Sequence, residues 1–396
     1  MATPVPRPNG KTVLLTGMNG FIASNIALQL LDRGYIVRGT SRKADTVSPL
    51  LKQPLFNRFA NIIPARVQHV IVPDISAKAA FDEAVQGVDA IIHTASPIDF
   101  SLETVSEFLD PAIGGVQAIL CSAYHENEGA IRNGQVAPIT SFVLTSSIAA
   151  IFDQWRFPPH SESGARNHAY SEVDWNESAE AAARESEAEG RPLIPMVAYA
   201  ASKVAAERAM WDFIQVKSEE AGRIQIVPAC SSINPGVAIG PPVLWPDTPE
   251  RLNETLMPMW KIWSGEAKAT NTMPPQIGSG TFIDVRDVAR LHVWCMENTQ
   301  KSSSQRYMIT NGKASSQAVA DLLREGLVDE HKVAQRIIIG DPGKGYTSGF
   351  GFSSNEPSAW AMKAYEALDR STFRSFGQCI RDTVLAFRER WPEYGY

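Results

Sequence analysis

Short runs of consecutive apolar residues alternate with longer stretches of helical period through the first half of the chain. Residues 11–16, centred on Val13, Leu14 and Leu15, read as a strand buried on both faces. A glycine-containing turn follows. Residues 21–31 then carry an apolar stripe at helical spacing, which Gly34 stops. Further strands are predicted over 35–39, 67–72, 90–94 and 141–146, with helices over 76–86 and 111–123 between them. This alternation predicts an α/β fold, a doubly wound parallel sheet covered by helices. The rhythm breaks over 151–195, which is polar and acid-rich; 178–188 reads as a surface helix within a lid or loop. A helix returns over 199–217. Residues 241–274, rich in Pro, Trp and Met, read as a smaller, less regular lobe able to shape an apolar pocket.

Composition narrows the function classes. The chain has 396 residues, 44% of them hydrophobic, enough for a sizeable core. Its 37 basic and 43 acidic residues give a net charge of −6, which argues against a broadly basic nucleic-acid surface. No apolar run approaches the ~18 residues of a membrane span, and the first ten residues carry three prolines and no apolar signal core. Cytoplasmic residence, with no membrane partner, is the expectation. Cys121, Cys230, Cys295 and Cys379 are widely spaced, as reduced thiols would be, and no metal site is expected.

Two stretches carry chemistry. After the first strand comes Thr16-Gly17-Met18-Asn19-Gly20-Phe21-Ile22-Ala23. Gly17 permits a tight turn, Gly20 a close backbone approach, and Ala23 close packing of the helix. The helix N-terminus then offers N–H groups to a pyrophosphate. The pattern is GxxGxxA rather than the full GxGxxG. Near the end of the second strand the sequence runs Arg38-Gly39-Thr40-Ser41-Arg42-Lys43, with no acid before Asp45. A carboxylate there would select NAD, whereas a guanidinium pairs with the 2′-phosphate of NADP. Arg42 is the main candidate, with Thr40, Ser41 and Lys43 as helpers. Asp74, backed by Ile75, either reaches the adenine or caps the helix expected near Ser76. The second stretch, Tyr199-Ala200-Ala201-Ser202-Lys203, places Tyr199 and Lys203 one helical turn apart. A nearby ammonium favours the phenolate and makes Tyr199 a proton exchanger. Ser147, near the end of the fifth strand, would hold the reacting oxygen; Ser146 beside it reads as a backbone-bonding residue.

In order and spacing these pieces resemble the extended short-chain dehydrogenase/reductases. The branch is that of the dihydroflavonol reductases and, more particularly, the yeast and fungal NADPH-dependent aldehyde/ketone reductases. The matching motifs are TGMNGFIAS at 16–24, RGTSR at 38–42, HTASP at 93–97, PAIGG at 111–115, VLTSS at 143–147, AYAASK at 198–203 and MPPQ at 273–276. The resemblance covers about residues 11–384. It implies a Rossmann-type dinucleotide domain over 11–235 with an insertion near 151–195. A flexible segment over 1–10 precedes it. A substrate lobe over 236–396 follows, with elements returning to the main sheet.

The resemblance also implies residue roles. Ser147, Tyr199 and Lys203 would be catalytic. The cofactor would meet Gly17, Asn19, Gly20, Phe21, Ile22, Arg42, Lys43, Asp74, Ile75, Ala95, Ser96, Tyr199, Lys203, Pro235 and Gly236. His93 reads as buried rather than catalytic. The chain departs from the family at Asn234-Pro235-Gly236, where the motif matches but the spacing from the catalytic helix would select Pro228. Asp284 and Asp287 read as fixing a strand-to-helix turn. Trp260 and Trp263 read first as packing, alternatively as an aromatic wall. The expected function is NADPH-dependent reduction of a small carbonyl compound, aromatic or lipophilic, by a monomer or homodimer. The alternatives are an NAD(P)-dependent epimerase or dehydratase, and a nonenzymatic NADP-binding sensor or scaffold.

Overall fold

The computed structural model describes residues 6–44, 47–59, 66–96, 102–153, 168–221, 226–275, 280–327, 331–353 and 358–394. Asp45, Pro97, Gln276 and most of the first half of the 151–195 insertion lie outside the described residues, as does the start of the 1–10 segment.

The chain divides into two compact units. The first holds the described residues of Met1–Arg156, Glu172–Asn234 and Ala289–Tyr307. The second holds those of Phe157–Ser171, Pro235–Val288 and Met308–Tyr396.

A seven-stranded sheet organises the first unit. Its strands are β1 (Thr12–Thr16), β2 (Ile36–Ser41), β3 (Val67–Ile71), β4 (Ala90–His93), β5 (Ser141–Thr145), β6 (Ala229–Pro235) and β7 (Gln305–Ile309). Their order is β3-β2-β1-β4-β5-β6-β7, and the pairings from β3 across to β6 are parallel. β1 is buried along its whole length, with Val13 and Leu15 on one face and Leu14 on the other. The sheet and its helices are the doubly wound Rossmann arrangement expected from the alternation.

The helices framing the site are α1 (Phe21–Asp32), α2 (Val105–Arg132), α3 (Ala179–Ala188) and α4 (Pro195–Ala221). One face of the sheet packs Leu14, Ile91, Phe142 and Leu144 against Val116, Ile119 and Leu120 of α2 and Met210 of α4. α2 and α4 also share Phe108, Leu109, Val197 and Ala201 with Ala179 and Ala183 of α3.

Several elements differ from the sequence reading: β6 and β7 are strands it did not predict, and the helix read over 199–217 runs over 195–221. No helix forms over 76–86; successive turns stand there, with Ala79 at φ 62°. The apolar residues that gave the helical period, Phe81, Ala84, Val85 and Val88, are nonetheless buried in the core. The second helix begins six residues before Pro111. The Thr104 side chain accepts from Glu107 N–H while the Glu107 carboxylate accepts from Thr104 N–H at 2.9 Å. This reciprocal cap starts the helix and leaves Pro111 inside it.

In the second unit, strand Val237–Ile239 pairs in parallel with Phe282–Asp284. Helices α5 (Met257–Trp263), α6 (Val285–Glu297, whose C-terminal part returns to the first unit), α7 (Ser316–Arg324) and α8 (Phe376–Arg390) follow. Asp284 accepts from Arg286 N–H at 2.8 Å and pairs with its guanidinium at 2.6 Å. Asp287 pairs with Arg374 at 2.8 Å. Both acids therefore brace the turn into α6. Trp260 and Trp263 are 4% and 1% exposed, packed with Phe387 and, for Trp260, Trp391. They are core, and present no aromatic wall. Among the described residues no helix is long and apolar enough to cross a membrane.

Candidate active site

The strand order reverses between β1 and β4, and in open α/β sheets the crevice beyond such a reversal receives the ligand. Here the two strand ends are locked together. Thr16 Oγ1 accepts from the N–H groups of Thr94 and Ala95, each at 3.0 Å. That leaves its own proton for His93 Nδ1, 2.9 Å away. The Thr94 hydroxyl donates back to the Thr16 carbonyl. His93 is packed beside Phe81 and Phe142, and burial, then the charge of Lys203, pushes its pKa down to about 3. It is a neutral brace at working pH.

The glycine turn is built on this brace. Gly17 has φ 62°, a left-handed conformation, and a Cβ there would lie 3.3 Å from Ala95 Cα. Gly20 N–H donates to the Gly17 carbonyl at 2.8 Å and serves as the N-cap of α1. No side chain caps that helix and no acid lies in its first turn, so its free N–H groups suit an anion. Asn19, Phe21, Ile22, Ala95 and Ser96 are half-buried around it. Met18 fills the space that Gly39 leaves open on β2.

Arg42 and Lys43 stand exposed just beyond β2, a strand without acidic residues. Asp74 accepts from Ser76 N–H at 2.9 Å and Ser76 Oγ at 2.6 Å. These bonds hold its carboxyl below the usual range. It caps a turn rather than the helix expected there. Ile75 is half-buried where Gly115 of α2 approaches, and a Cβ on that glycine would meet it at 2.9 Å. The paired glycines of α2 thus let the helix lie against this turn.

At the neighbouring strand ends, β5 delivers Ser147 and α4 delivers Tyr199 and Lys203. The Ser147 hydroxyl accepts from Ala149 N–H at 3.1 Å and hydrogen-bonds the Tyr199 side chain. Lys203 Nζ lies 5.5 Å from the centre of the Tyr199 ring. The three side chains predicted as a unit are brought together.

Their electrostatics differ from expectation in one respect. Burial raises the Tyr199 pKa, and the bond from Ser147 opposes it only in part. An ammonium nearby does not outweigh the cost of burying a phenolate. Lys203 is 5% exposed, and burial lowers its pKa to about 8 against the opposing pull of Glu207. Lys203 therefore remains mainly charged at pH 7, and the Tyr199 hydroxyl keeps its proton.

Pro228 precedes β6 and Pro235 ends it. Asn234, just before Pro235, donates to the Ser147 carbonyl at 3.2 Å. Asn234 thus stands at the strand end that adjoins Ser147, while Pro228 lies at the opposite end. Pro235 and Gly236 are buried in the second unit.

Several residues of this region escaped the sequence reading. Thr16 stood at the head of the TGMNGFIAS motif, but nothing in the sequence pointed to its bonds with residues 93–95. Glu207 had a local one, since it repeats the four-residue spacing of Tyr199 and Lys203. Its partner Arg306 lies 99 residues further on.

Residues 13–310 match the NAD dependent epimerase/dehydratase family, and the chain belongs to it. Within that family its similarity is to fungal reductases. It is 30% identical over 392 residues to ketoreductase azaE of Aspergillus niger, covering 96% of this chain and 98% of that one. It is 29% identical over 390 residues to the NADPH-dependent methylglyoxal reductase GRE2 of Saccharomyces cerevisiae, covering 96% and 99%. The crystal structure of yeast methylglyoxal/isovaleraldehyde reductase Gre2 complexed with NADPH superposes with a TM-score of 0.71 at 25% identity, covering 96% of this chain and 99% of that one.

Proposed function

We propose that this protein is an NADPH-dependent reductase of aldehydes or ketones. The observation that carries the reading is the convergence of Ser147, Tyr199 and Lys203 at the sheet edge where Gly17 and α1 present an uncapped N-terminus.

The chain's own residues fit the dinucleotide. Gly17 leaves room beside Ala95 where any side chain would intrude. The first turn of α1, with Asn19, Gly20, Phe21 and Ile22, would hold the pyrophosphate. Arg42, helped by Lys43, would pair with the 2′-phosphate. Asp74 and Ile75 would border the adenine, and Ala95 and Ser96 the ribose-phosphate path. Pro235 and Gly236 are proposed beside the nicotinamide. Bound there, NADPH supplies the hydride.

Tyr199 donates its proton to the substrate oxygen. Ser147 turns its hydroxyl from Tyr199 to the same oxygen and stabilises the charge that develops there. Lys203 keeps a positive charge beside Tyr199 as the proton leaves. The substrate class is a small carbonyl compound; with Trp260 and Trp263 packed away, aromatic recognition has to come from other side chains.

The test of the reading is NADPH consumption across a panel of aldehydes and ketones, with product identification and an NADH control. Carbonyl-dependent consumption yielding the alcohol is expected. A folded, NADPH-binding protein that reduces none of the panel would count against it.

Two further outcomes follow from the site. Arg42→Ala should weaken NADPH binding about 10- to 100-fold, the worth of a charged hydrogen-bonded pair, with NADH affinity within about 2-fold. Equal weakening of both, measured by titration of cofactor fluorescence, would remove Arg42 from the 2′-phosphate. The second concerns pH. Lys203 loses its charge as pH rises through about 8. Because kcat/KM reports groups of the free enzyme, it should fall over that range. A profile flat to about pH 10 would exclude a required Lys203 charge.

A further inference from the structure

Behind the catalytic side chains lies a buried charge that the chemistry above does not use. Glu207 sits one helical turn beyond Lys203 on α4 and is fully buried. Its carboxylate accepts from Ser146 Oγ at 2.7 Å, Ser232 Oγ at 2.6 Å, Asn234 Nδ2 at 2.7 Å and Arg306 Nε at 2.7 Å. Burying a carboxylate is costly unless its oxygens are paired and hydrogen-bonded. An apolar residue would pack α4 on the sheet without that cost. Polar residues from the ends of β5 and β6, and Arg306 from β7, converge on it instead.

The network reaches the reacting groups by two routes. Ser146 is the immediate neighbour of Ser147. Asn234 donates to both Glu207 and the Ser147 carbonyl. Arg306 is fixed in turn: its Nη1 donates to the carbonyls of Glu172 at 2.8 Å and Asp174 at 2.6 Å, and its guanidinium lies 3.7 Å from the Trp175 ring centre. We propose that Glu207, with Arg306 as its buried counter-charge, is the positioning residue of this site. It holds Ser147 in place against Tyr199 and sets a negative charge one turn from Lys203.

The charge has a definite consequence for Lys203. Burial opposes ionisation of Glu207, but Arg306, by charge and by hydrogen bonding, and the hydroxyls of Ser232 and Ser146 hold its carboxyl below the usual range. The charged carboxylate favours the protonated form of Lys203. Among the described residues, the other titratable groups facing Lys203 are Tyr199 on its own helix and His93 on β4. Only Glu207 is a fixed negative charge among them. Removing it lowers the Lys203 pKa further.

This inference rests on the reductase reading, and its test separates the two. In Glu207→Gln, kcat should fall about 30-fold, as displaced reacting groups cause, with NADPH affinity within about 3-fold. The alkaline limb of kcat/KM should move to lower pH. In Glu207→Gln/Arg306→Met no buried charge is left unpaired, so thermal stability should recover while kcat and the alkaline limb do not. Ser146→Ala, a small change that the fold should tolerate, should lower kcat about 5-fold with KM unchanged. A double variant with wild-type kcat and pH limb, or a Ser146→Ala protein with wild-type kcat, would overturn the positioning role. NMR titration of the Lys203 side chain in the cofactor-free, full-length protein gives a readout independent of any substrate. A lower pKa in Glu207→Gln upholds the electrostatic coupling even if no carbonyl is reduced. An unchanged pKa overturns it even if the wild type is an active reductase.

Discussion

Tyr199→Phe should cut kcat for carbonyl reduction about 1,000-fold, within the range general-acid residues supply, while NADPH binds within about 2-fold of wild type. That loss corresponds to ~4 kcal/mol of transition-state stabilisation. The substitution removes one oxygen and keeps the ring beside Lys203, whose Nζ lies 5.5 Å from its centre. Ser147 loses one partner but still accepts from Ala149 N–H. The fold should therefore be unaffected, and the thermal midpoint should stay near that of wild type. Steady-state kinetics beside a cofactor titration checks both halves. A kcat within about 5-fold of wild type would take proton transfer away from Tyr199.

Ser147→Ala should lower kcat about 100-fold, the usual consequence of removing one donor to a developing oxyanion. A smaller loss of stability should accompany it. Ser147 is also the N-cap of the short helical turn Ile148–Ala150, through its bond from Ala149 N–H. Loss of such a cap costs about 1 kcal/mol. NADPH affinity should change little. Ser146→Ala is the informative neighbour, because Ser146 points to Glu207 rather than to Tyr199. If the two alanine variants lose activity equally, Ser147 has no special access to the substrate oxygen.

Five of the seven strands of the central sheet were legible, and in β1, β4 and β5 burial on both faces leaves its mark as contiguous apolar runs, while β6 and β7 were not predicted. β1 to β5 fall within two residues of their predicted ends. The 76–86 stretch was misread for a related reason. Phe81, Ala84, Val85 and Val88 show helical spacing, yet the chain buries them through successive turns around Ala79. Periodicity reports which residues go inside, not which hydrogen bonds hold the backbone. The onset of α2 was missed because the cap at Thr104 and Glu107 outweighs the usual preference for proline at a helix start.

The site divides in the same way. Tyr199 and Lys203 share one helix face, so their proximity is a local property. Gly17 and Gly20 share one turn. Glu207 and Arg306 meet only after the sheet has formed, and no spacing in the chain announces their pairing. The direction of the Tyr199 shift was also beyond the sequence. It depends on how deeply the hydroxyl is buried, and burial outweighs the bond from Ser147. The nitrogen of Lys203 carries the opposite sign of the same effect, which brings its pKa down to about 8.

The central claim is net reduction of a carbonyl with Tyr199 as proton donor. It is tested most directly by turnover with NADPH deuterated at the transferring carbon. Product deuterium and oxidised cofactor are measured in the same reaction, with Tyr199→Phe run beside the wild type. The expected result is an alcohol with deuterium on the former carbonyl carbon, formed mole for mole with NADP+, and almost none from the variant. A product isomerised or dehydrated without net NADPH consumption would contradict the reductase and favour the internal-redox chemistry of the epimerases. Equal product from Tyr199→Phe would leave the reduction standing and contradict its proton donor.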